Sequence, residues 1–274
     1  MRRLLQGLSR LIAPLALSQR LERAEGSANA RFVEARSRIA PDLGACWTEI
    51  AGAYAMFDGP ASPCTQTFGL GLFQTPTPED MDRLEAFFRE RSAPVFHEVS
   101  PMADPSLVAL LTGRGYRPIE LTSVMYLPLS ERAPASQVGV PVRIVGPSEH
   151  ELWARTCAAG WADQVQFGDL TGLMTVVASR ENAVDFLAEI DGEPAAAAVL
   201  AIHEGVALLG GASTIPRFRR RGAQQALMDS RIDYAAHSGC DLAMISAGPP
   251  GGGSERNAAR QGFRTAYTRI KWSA

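Results

Sequence analysis

Among the residues able to do chemistry, four arginines and a glycine lie closest together. In TIPRFRRRGAQQAL, residues 214–227, Arg217, Arg219, Arg220 and Arg221 fill a turn, and Gly222 opens a helical pattern with no acid before Asp229. The first amides of a helix have no internal partner and point outward, and the helix dipole adds partial positive charge there. A glycine at that point lets a phosphate approach the backbone. The chemistry on offer is anion binding, and a pyrophosphate suits it. The same residues also fit a solvated basic turn ahead of a helix, and the local pattern alone does not separate the two readings. Other ionisable residues are less well placed. His203 and Glu204 fall in a hairpin pattern, where exposure is the ordinary state, and His97 reads as a packed strand residue beside Glu98. Cys46, Cys64, Cys157 and Cys240 are scattered singly. Without a CxxC pair, neither a metal site nor a disulfide framework is expected, and a reducing compartment, the cytoplasm, fits best.

The elements that must hold the turn can be read on both sides of it. Val142 to Val145 predicts a short strand, and Ser148 a cap for a helix through Ala159. Val184 to Ile190, Ala195 to His203 and Val206 to Thr214 predict a meander, with Asp191-Gly192 and Glu204-Gly205 as tight hairpin turns. A helix from Ala223 to Ser238 stops at Gly239, followed by a strand Asp241 to Ala247, a short helix from Ser254 to Gly262 and a strand Arg264 to Trp272. The first half echoes this order. Trp47 to Met56 and Gln66 to Phe73 read as strands, Thr77 to Arg91 as a helix, Val95 to Val99 as a strand and Asp104 to Thr112 as a helix. LLTGRGYRPIELTSVMYLPL parallels AARQGFRTAYTRIKW, each a short helix, a glycine, an aromatic (Tyr116, Phe263) and a strand. Two copies of one α/β (α+β) fold are expected, each a mixed, mostly antiparallel sheet flanked by helices. The division is a helical segment at 1–40, a first domain at 41–130, a Pro- and Ser-rich linker at 131–142 and a second domain at 143–274.

The turn, its flanking strand and helix, and the glycine–aromatic strand entry together resemble the GCN5-related N-acetyltransferases (the GNAT family). That family's signature is Arg or Gln, two residues, Gly, one residue, then Gly or Ala. Arg219-Arg220-Arg221-Gly222-Ala223-Gln224 follows it, with Gln224 in the last place. The resemblance covers residues 143–274, including Thr214-Ile215-Pro216, Gly239 and SERNAARQGF. It implies acetyl-CoA as co-substrate, with its pyrophosphate on the amides of Arg219 through Gln224. The pantetheine arm would run along the end of the fourth strand at Ala212, Thr214 and Ile215, and Asn257 would reach the cofactor. The Thr214 N–H would polarise the thioester carbonyl and stabilise the oxyanion as an amine attacks. Ala258 stands where many members carry a tyrosine acid, and VALLGGAST lacks the frequent carboxylate base, so a non-catalytic acyl-CoA sensor is the alternative. Ser254 reads as a helix cap, and Ser254, Asn257 and Tyr267 are the side chains to examine as a replacement acid. In the first half the corresponding stretch is GLGLFQTPTPEDMDRL. Pro76 and Pro78 remove donors, and Glu79 and Asp80 put negative charge where phosphate would sit, so that copy is read as degenerate.

Composition narrows the partners. The chain has 274 residues, 46% hydrophobic and 20% charged, with Lys+Arg 27 against Asp+Glu 29, a net charge of -2. A dedicated nucleic-acid binder carries a net basic field, so none is expected. All the basic residues except Lys271 are arginine. Leu4, Leu8, Leu11 and Leu15 fall at helical spacing near the N-terminus and predict a helix that packs on its own protein or on a twin subunit in a homodimer rather than on a membrane. The acceptor is read only as a small-molecule or peptide amine, with Trp153, Trp161 and Phe167 offering aromatic surface.

Overall fold

The computed structural model describes residues 15–134, 139–163 and 170–274. Leu4, Leu8, Leu11 and Phe167 lie outside the described residues. The chain divides into two compact units, one of residues 1–126 with 244–274, the other of residues 127–243. By contacts, the closing 244–274 segment therefore groups with the first unit.

The first unit opens with helix α1 (Leu15–Ile39). Strands β1 (Cys46–Ile50) and β2 (Ala53–Phe57) follow as a hairpin. One strand was expected over Trp47 to Met56. It is broken by a two-residue turn in which Ala51 and Gly52 both take positive φ, 50° and 75°. An alanine there gives no turn signal, so the break was hidden. Strand β3 is only Gln66–Phe68, because Gly69 and Gly71 turn the chain before Phe73. Helix α2 (Pro78–Arg89) starts as expected at Thr77, with a complete capping box: the Thr77 hydroxyl accepts from the Asp80 N–H, and Asp80 accepts from the Thr77 N–H. Strand β4 (Phe96–Val99), helix α3 (Ser106–Gly113) and strand β5 (Arg117–Pro128) complete the N-terminal run.

In the second unit, β6 (Val142–Val145) leads to α4 (His150–Gly160) and α5 (Leu170–Ala178). Ser148 does not cap α4. Pro147 starts a 3-10 turn over 147–149, and Glu149 takes the cap position without a side-chain bond. The meander is β7 (Ala183–Ile190), β8 (Glu193–His203) and β9 (Val206–Thr214), antiparallel, with both hairpin turns at positive φ as their acid–glycine pairs predict. Helix α6 (Ala223–His237) and strand β10 (Leu242–Ser246) come next; α7 (Gly253–Arg260) and β11 (Arg264–Ser273) follow in the chain but belong to the first unit. Ser254 lies inside α7, whose cap is Gly252 with no side-chain bond.

In the first unit the strand order is β1-β2-β3-β4-β11-β5, antiparallel except between β3 and β4. Its core joins Met81, Leu84 and Phe88 of α2 and Leu107 and Leu111 of α3 to Ile50, Ala53, Ala55, Val99 and Trp272. His97 is fully buried on that side and bonds Thr67 at 2.8 Å, so it is a packed core residue. Burial lowers its pKa to about 3. Glu98 points to the other face by strand alternation, where Arg269 of β11 meets it together with Glu22 and Glu25 of α1. In the second unit, α4 and α5 bury Trp153, Ala154, Cys157, Met174 and Ala178 against Val145, Leu187, Ala197 and Val199. Trp153 is thus core rather than aromatic surface. Helix α6 covers the opposite face, where Tyr234 meets Phe186 edge-on with centroids 5.7 Å apart.

Candidate functional site

Apart from Asn257, which belongs to the first unit, the expected site residues lie in the second unit, where β9 hands over to α6. Its decisive feature is a β-bulge. Val199 stands opposite Gly210, but Ala197 stands opposite Ser213, so β9 spends three residues where β8 spends two. Gly211 takes the extra place with φ 54°, a conformation that costs glycine little.

The bulge decides where Thr214 points. The pair His203–Val206 flanks the two-residue turn and is of the mutually bonded kind, which recurs at every second position to Val199–Gly210. Past the bulge, the Ile215 N–H donates to the Ala195 carbonyl at 2.9 Å, so Ala196–Thr214 is the non-bonded kind. The Thr214 N–H and C=O therefore face away from β8. Without the inserted residue, both would have been turned into the ladder.

After β9, the chain makes a 3-10 turn at Pro216–Phe218 and enters α6 through Gly222, whose φ of 89° makes it a left-handed cap. The Arg219 N–H is used inside that turn, donating to the Pro216 carbonyl at 3.2 Å, and the Ile215 N–H is spent on β8. The N–H groups of Arg220, Arg221, Gly222, Ala223 and Gln224 have no acceptor among the described residues. Those five successive donors lie where an anion was expected. Ala212 sits in the bulge, and the Thr214 hydroxyl reaches the Gln224 side-chain oxygen at 3.5 Å.

The arginine side chains divide by role. Arg217 pairs with Glu193 at 2.7 Å and Arg221 with Asp191 at 2.9 Å, so both are tied to the β7–β8 hairpin. Arg219 is a strut in this structure. Its guanidinium holds both oxygens of Asp163, at 2.5 and 2.9 Å, and donates to the carbonyls of Gly160 and Thr214. Asp163 hydrogen-bonded this way sits below the usual carboxylate range. Arg220, exposed and at φ 62°, has no partner among the described residues. Gly160 ends α4 directly over the site: a Cβ there would lie 2.2 Å from Ser213 Oγ and 2.8 Å from Thr214 N. The helix can reach this close only because residue 160 has no side chain.

Other sequence candidates fall elsewhere. Asn257 is exposed on α7 and accepts from Arg260 at 2.9 Å. Ala258 is fully buried. Tyr267 is buried in the first unit, where it donates to Glu22 at 2.8 Å, and burial raises its pKa well above the ordinary tyrosine value. His203 lies at the hairpin with Glu204 4.0 Å away. Within the second unit, two buried charged residues carry no mark in the sequence reading. Asp185, beside His150, is pushed up to about 7 by burial. Arg231 is 1% exposed on α6, and desolvation lowers its pKa to about 10. The signal for Arg231 was present, since it stands four residues from both Leu227 and Ala235 on the buried stripe of the helix.

Comparison with known proteins fits this geometry. Residues 150–263 match the acetyltransferase (GNAT) family. A GCN5-related N-acetyltransferase from Kribbella flavida is 18% identical with a TM-score of 0.63, over 88% of this chain and 94% of that one. A GCN5-related N-acetyltransferase from Sphaerobacter thermophilus is 15% identical, TM-score 0.55, over 96% and 94%. A tandem GNAT protein from the clavulanic acid biosynthesis pathway is 16% identical, TM-score 0.56, over 81% and 78%. At these identities the likeness is one of fold. No curated protein matches the sequence. The fold is thus a GNAT fold of α/β type with mostly antiparallel strands, as expected. No helix among the described residues is long and apolar enough to cross a membrane. No group of three potential metal ligands is present among them either.

Proposed function

We propose that the chain is an acetyl-CoA-dependent N-acetyltransferase, acting in the cytoplasm on a primary amine of a small molecule or peptide. One observation carries this reading: five consecutive amides, Arg220 to Gln224, with no acceptor among the described residues, at the positive end of a helix inside the stretch that matches the family. These donors and the Arg220 side chain, which has no partner among the described residues, would hold the pyrophosphate. Ala212, Thr214 and Ile215 would line the path of the acyl arm, with Asn257 a further cofactor contact. The Thr214 N–H, turned away from β8, would polarise the thioester carbonyl for direct attack by a neutral amine. Residues 41–130 are read as a degenerate copy of the domain at 143–274, the two forming a sequence repeat. The capping box of Thr77 and Asp80 fills the start of α2 with the chain's own carboxylate.

A non-catalytic acyl-CoA sensor is the second reading, and the buried Ala258 in the place of a tyrosine acid favours it. A thiol is an acceptable leaving group at a pKa of about 8.5, so an enzyme can manage without that acid. Thiol release from acetyl-CoA across a panel of amines and aminoglycosides separates the two. The enzyme reading predicts that at least one amine accelerates release above the buffer rate. Tight acetyl-CoA binding with no acceleration by any amine would establish the sensor.

A further inference from the structure

The bulge that aims Thr214 is clamped from both faces of the sheet. On the α4 face, the Trp153 indole N–H donates to the carbonyl of Ala198, the residue opposite the bulge, at 3.2 Å. Cys157 Sγ lies 3.0 Å from the Gly211 carbonyl, and the Ser213 hydroxyl donates to the Cys157 carbonyl at 2.7 Å. On the α6 face the holder is Arg231. Its Nη1 donates to the carbonyls of Val199 and Gly210, both at 3.2 Å, and its Nε to Leu227 of its own helix at 3.1 Å. Val199 and Gly210 are the last opposed pair before the inserted residue.

A guanidinium is an expensive group to bury. Among the described residues no carboxylate pairs with Arg231, and its Nη2 has no hydrogen-bond partner. Leucine or methionine would fill the stripe between Leu227 and Ala235 without that cost. What an apolar side chain cannot do is donate to two carbonyls of adjacent strands at once, as Nη1 does while Nε anchors the group to its own helix. A bulge held at Gly211 cannot migrate along β9, and its position determines orientation. An insertion before Thr214 turns that N–H outward, whereas one after it leaves Thr214 bonded into β8.

We propose that Arg231 is a positioning residue for the acyl-transfer site, fixing the β9 bulge ahead of Thr214 and so keeping the Thr214 N–H available to the acyl carbonyl. The proposal rests on the acetyl-CoA reading. It assigns Arg231 no contact with substrate and no part in pyrophosphate binding, because the amides of Arg220 to Gln224 do not depend on the bulge. Its effect is therefore on the polarisation of the bound thioester, not on affinity.

The test is infrared difference spectroscopy of carbonyl-labelled [13C]acetyl-CoA bound to the full chain, read beside a calorimetric affinity. Wild type is expected to lower the thioester carbonyl stretch relative to free acetyl-CoA. Arg231→Met should bind acetyl-CoA within about threefold of wild type, lose most of that downshift, and turn over an accepted amine at least about tenfold more slowly, a loss in kcat rather than in KM for acetyl-CoA. Arg231→Lys, which keeps a charged donor but loses the Nε bond that anchors it to Leu227, should recover part of the downshift. If the methionine variant does not fold, the lysine variant carries the test, with a partial loss expected. An undiminished downshift with unchanged kcat in whichever variant folds would overturn the proposal. So would a wild type that binds acetyl-CoA with no downshift. A wild type that fails to bind acetyl-CoA overturns the functional reading itself, which affinity alone reveals.

Discussion

Gly222→Asp is expected to abolish acetyl-CoA binding and leave the chain folded. The substituted residue would stand at the cap of α6, where Gly222 has φ 89°, a region that aspartate enters more readily than most residues. Its carboxylate would accept from the first amides of the helix, the same donors proposed for the pyrophosphate. The first unit already shows that arrangement, with Asp80 and Thr77 satisfying the start of α2 from within. The variant would thus fill the start of α6 as the start of α2 is filled, occupying the donors and adding Coulomb repulsion. Together these weaken binding by at least about a hundredfold, roughly 3 kcal/mol. Calorimetric titration measures it, with a melting curve to show that the fold survives. An affinity unchanged from wild type would make the arginine loop an ordinary surface turn.

The largest loss of stability is expected from Arg269→Met. Arg269 is 3% exposed at its side chain and holds Glu25 at 2.7 Å, Glu98 at 2.9 Å and Glu22 at 3.3 Å. Burial pushes Glu22 up to about 6 against the pull of Arg269. Glu98 is likewise raised, again by burial in the first place. For Glu25, burial pushes upward, but Arg269 and the hydroxyl of Ser246 outweigh it, and its pKa is lowered. Removing the cation leaves three buried carboxylates uncompensated, at a cost of about 3–5 kcal/mol near neutral pH. The sign of the pH dependence follows. Without Arg269 all three folded pKa values lie above their unfolded ones, so the folded state binds extra protons and stability falls as pH rises through that window. The deficit of the variant should be largest above pH 7 and shrink as pH falls toward 4.5, the ordinary carboxylate value from which Glu22 is raised. Urea unfolding at several pH values reads this directly. A deficit that stays constant from pH 5 to 8 would mean that Arg269 acts by packing alone.

Local signals carried most of the fold. The two acid–glycine turns, the capping box at Thr77, the glycine cap at 222 and the strand at Val142–Val145 were legible because each rests on a few adjacent residues. The Ala51-Gly52 turn was not, since tertiary pairing of β1 with β2 forces alanine to φ 50° against its preference. Helix α5 was missed as well, for its sequence LTGLMTVVA is apolar nearly all round and shows no helical stripe. In the candidate site, the row of amide donors at the start of α6 was legible. The division of labour among the arginines was not, because the partners that convert Arg219 into a strut, Gly160 and Asp163, are 59 and 56 residues away. The bulge had one sequence trace, the Gly210-Gly211 pair in β9, but its consequence for Thr214 depends on counting residues across two strands. The cluster around Arg269 joins residues up to 247 positions apart and could come only from the assembled unit.

The central claim is that acetyl-CoA binds at the start of α6 and along the end of β9. Amide resonances of the 15N-labelled chain, followed through an acetyl-CoA titration, test it most directly. The account predicts saturable shifts concentrated at Arg220, Arg221, Gly222, Ala223, Gln224 and Thr214, with the amides of Thr77 to Asp80 at the start of α2 unmoved. Shifts confined to Thr77–Asp80, or a titration that moves neither set, would contradict it.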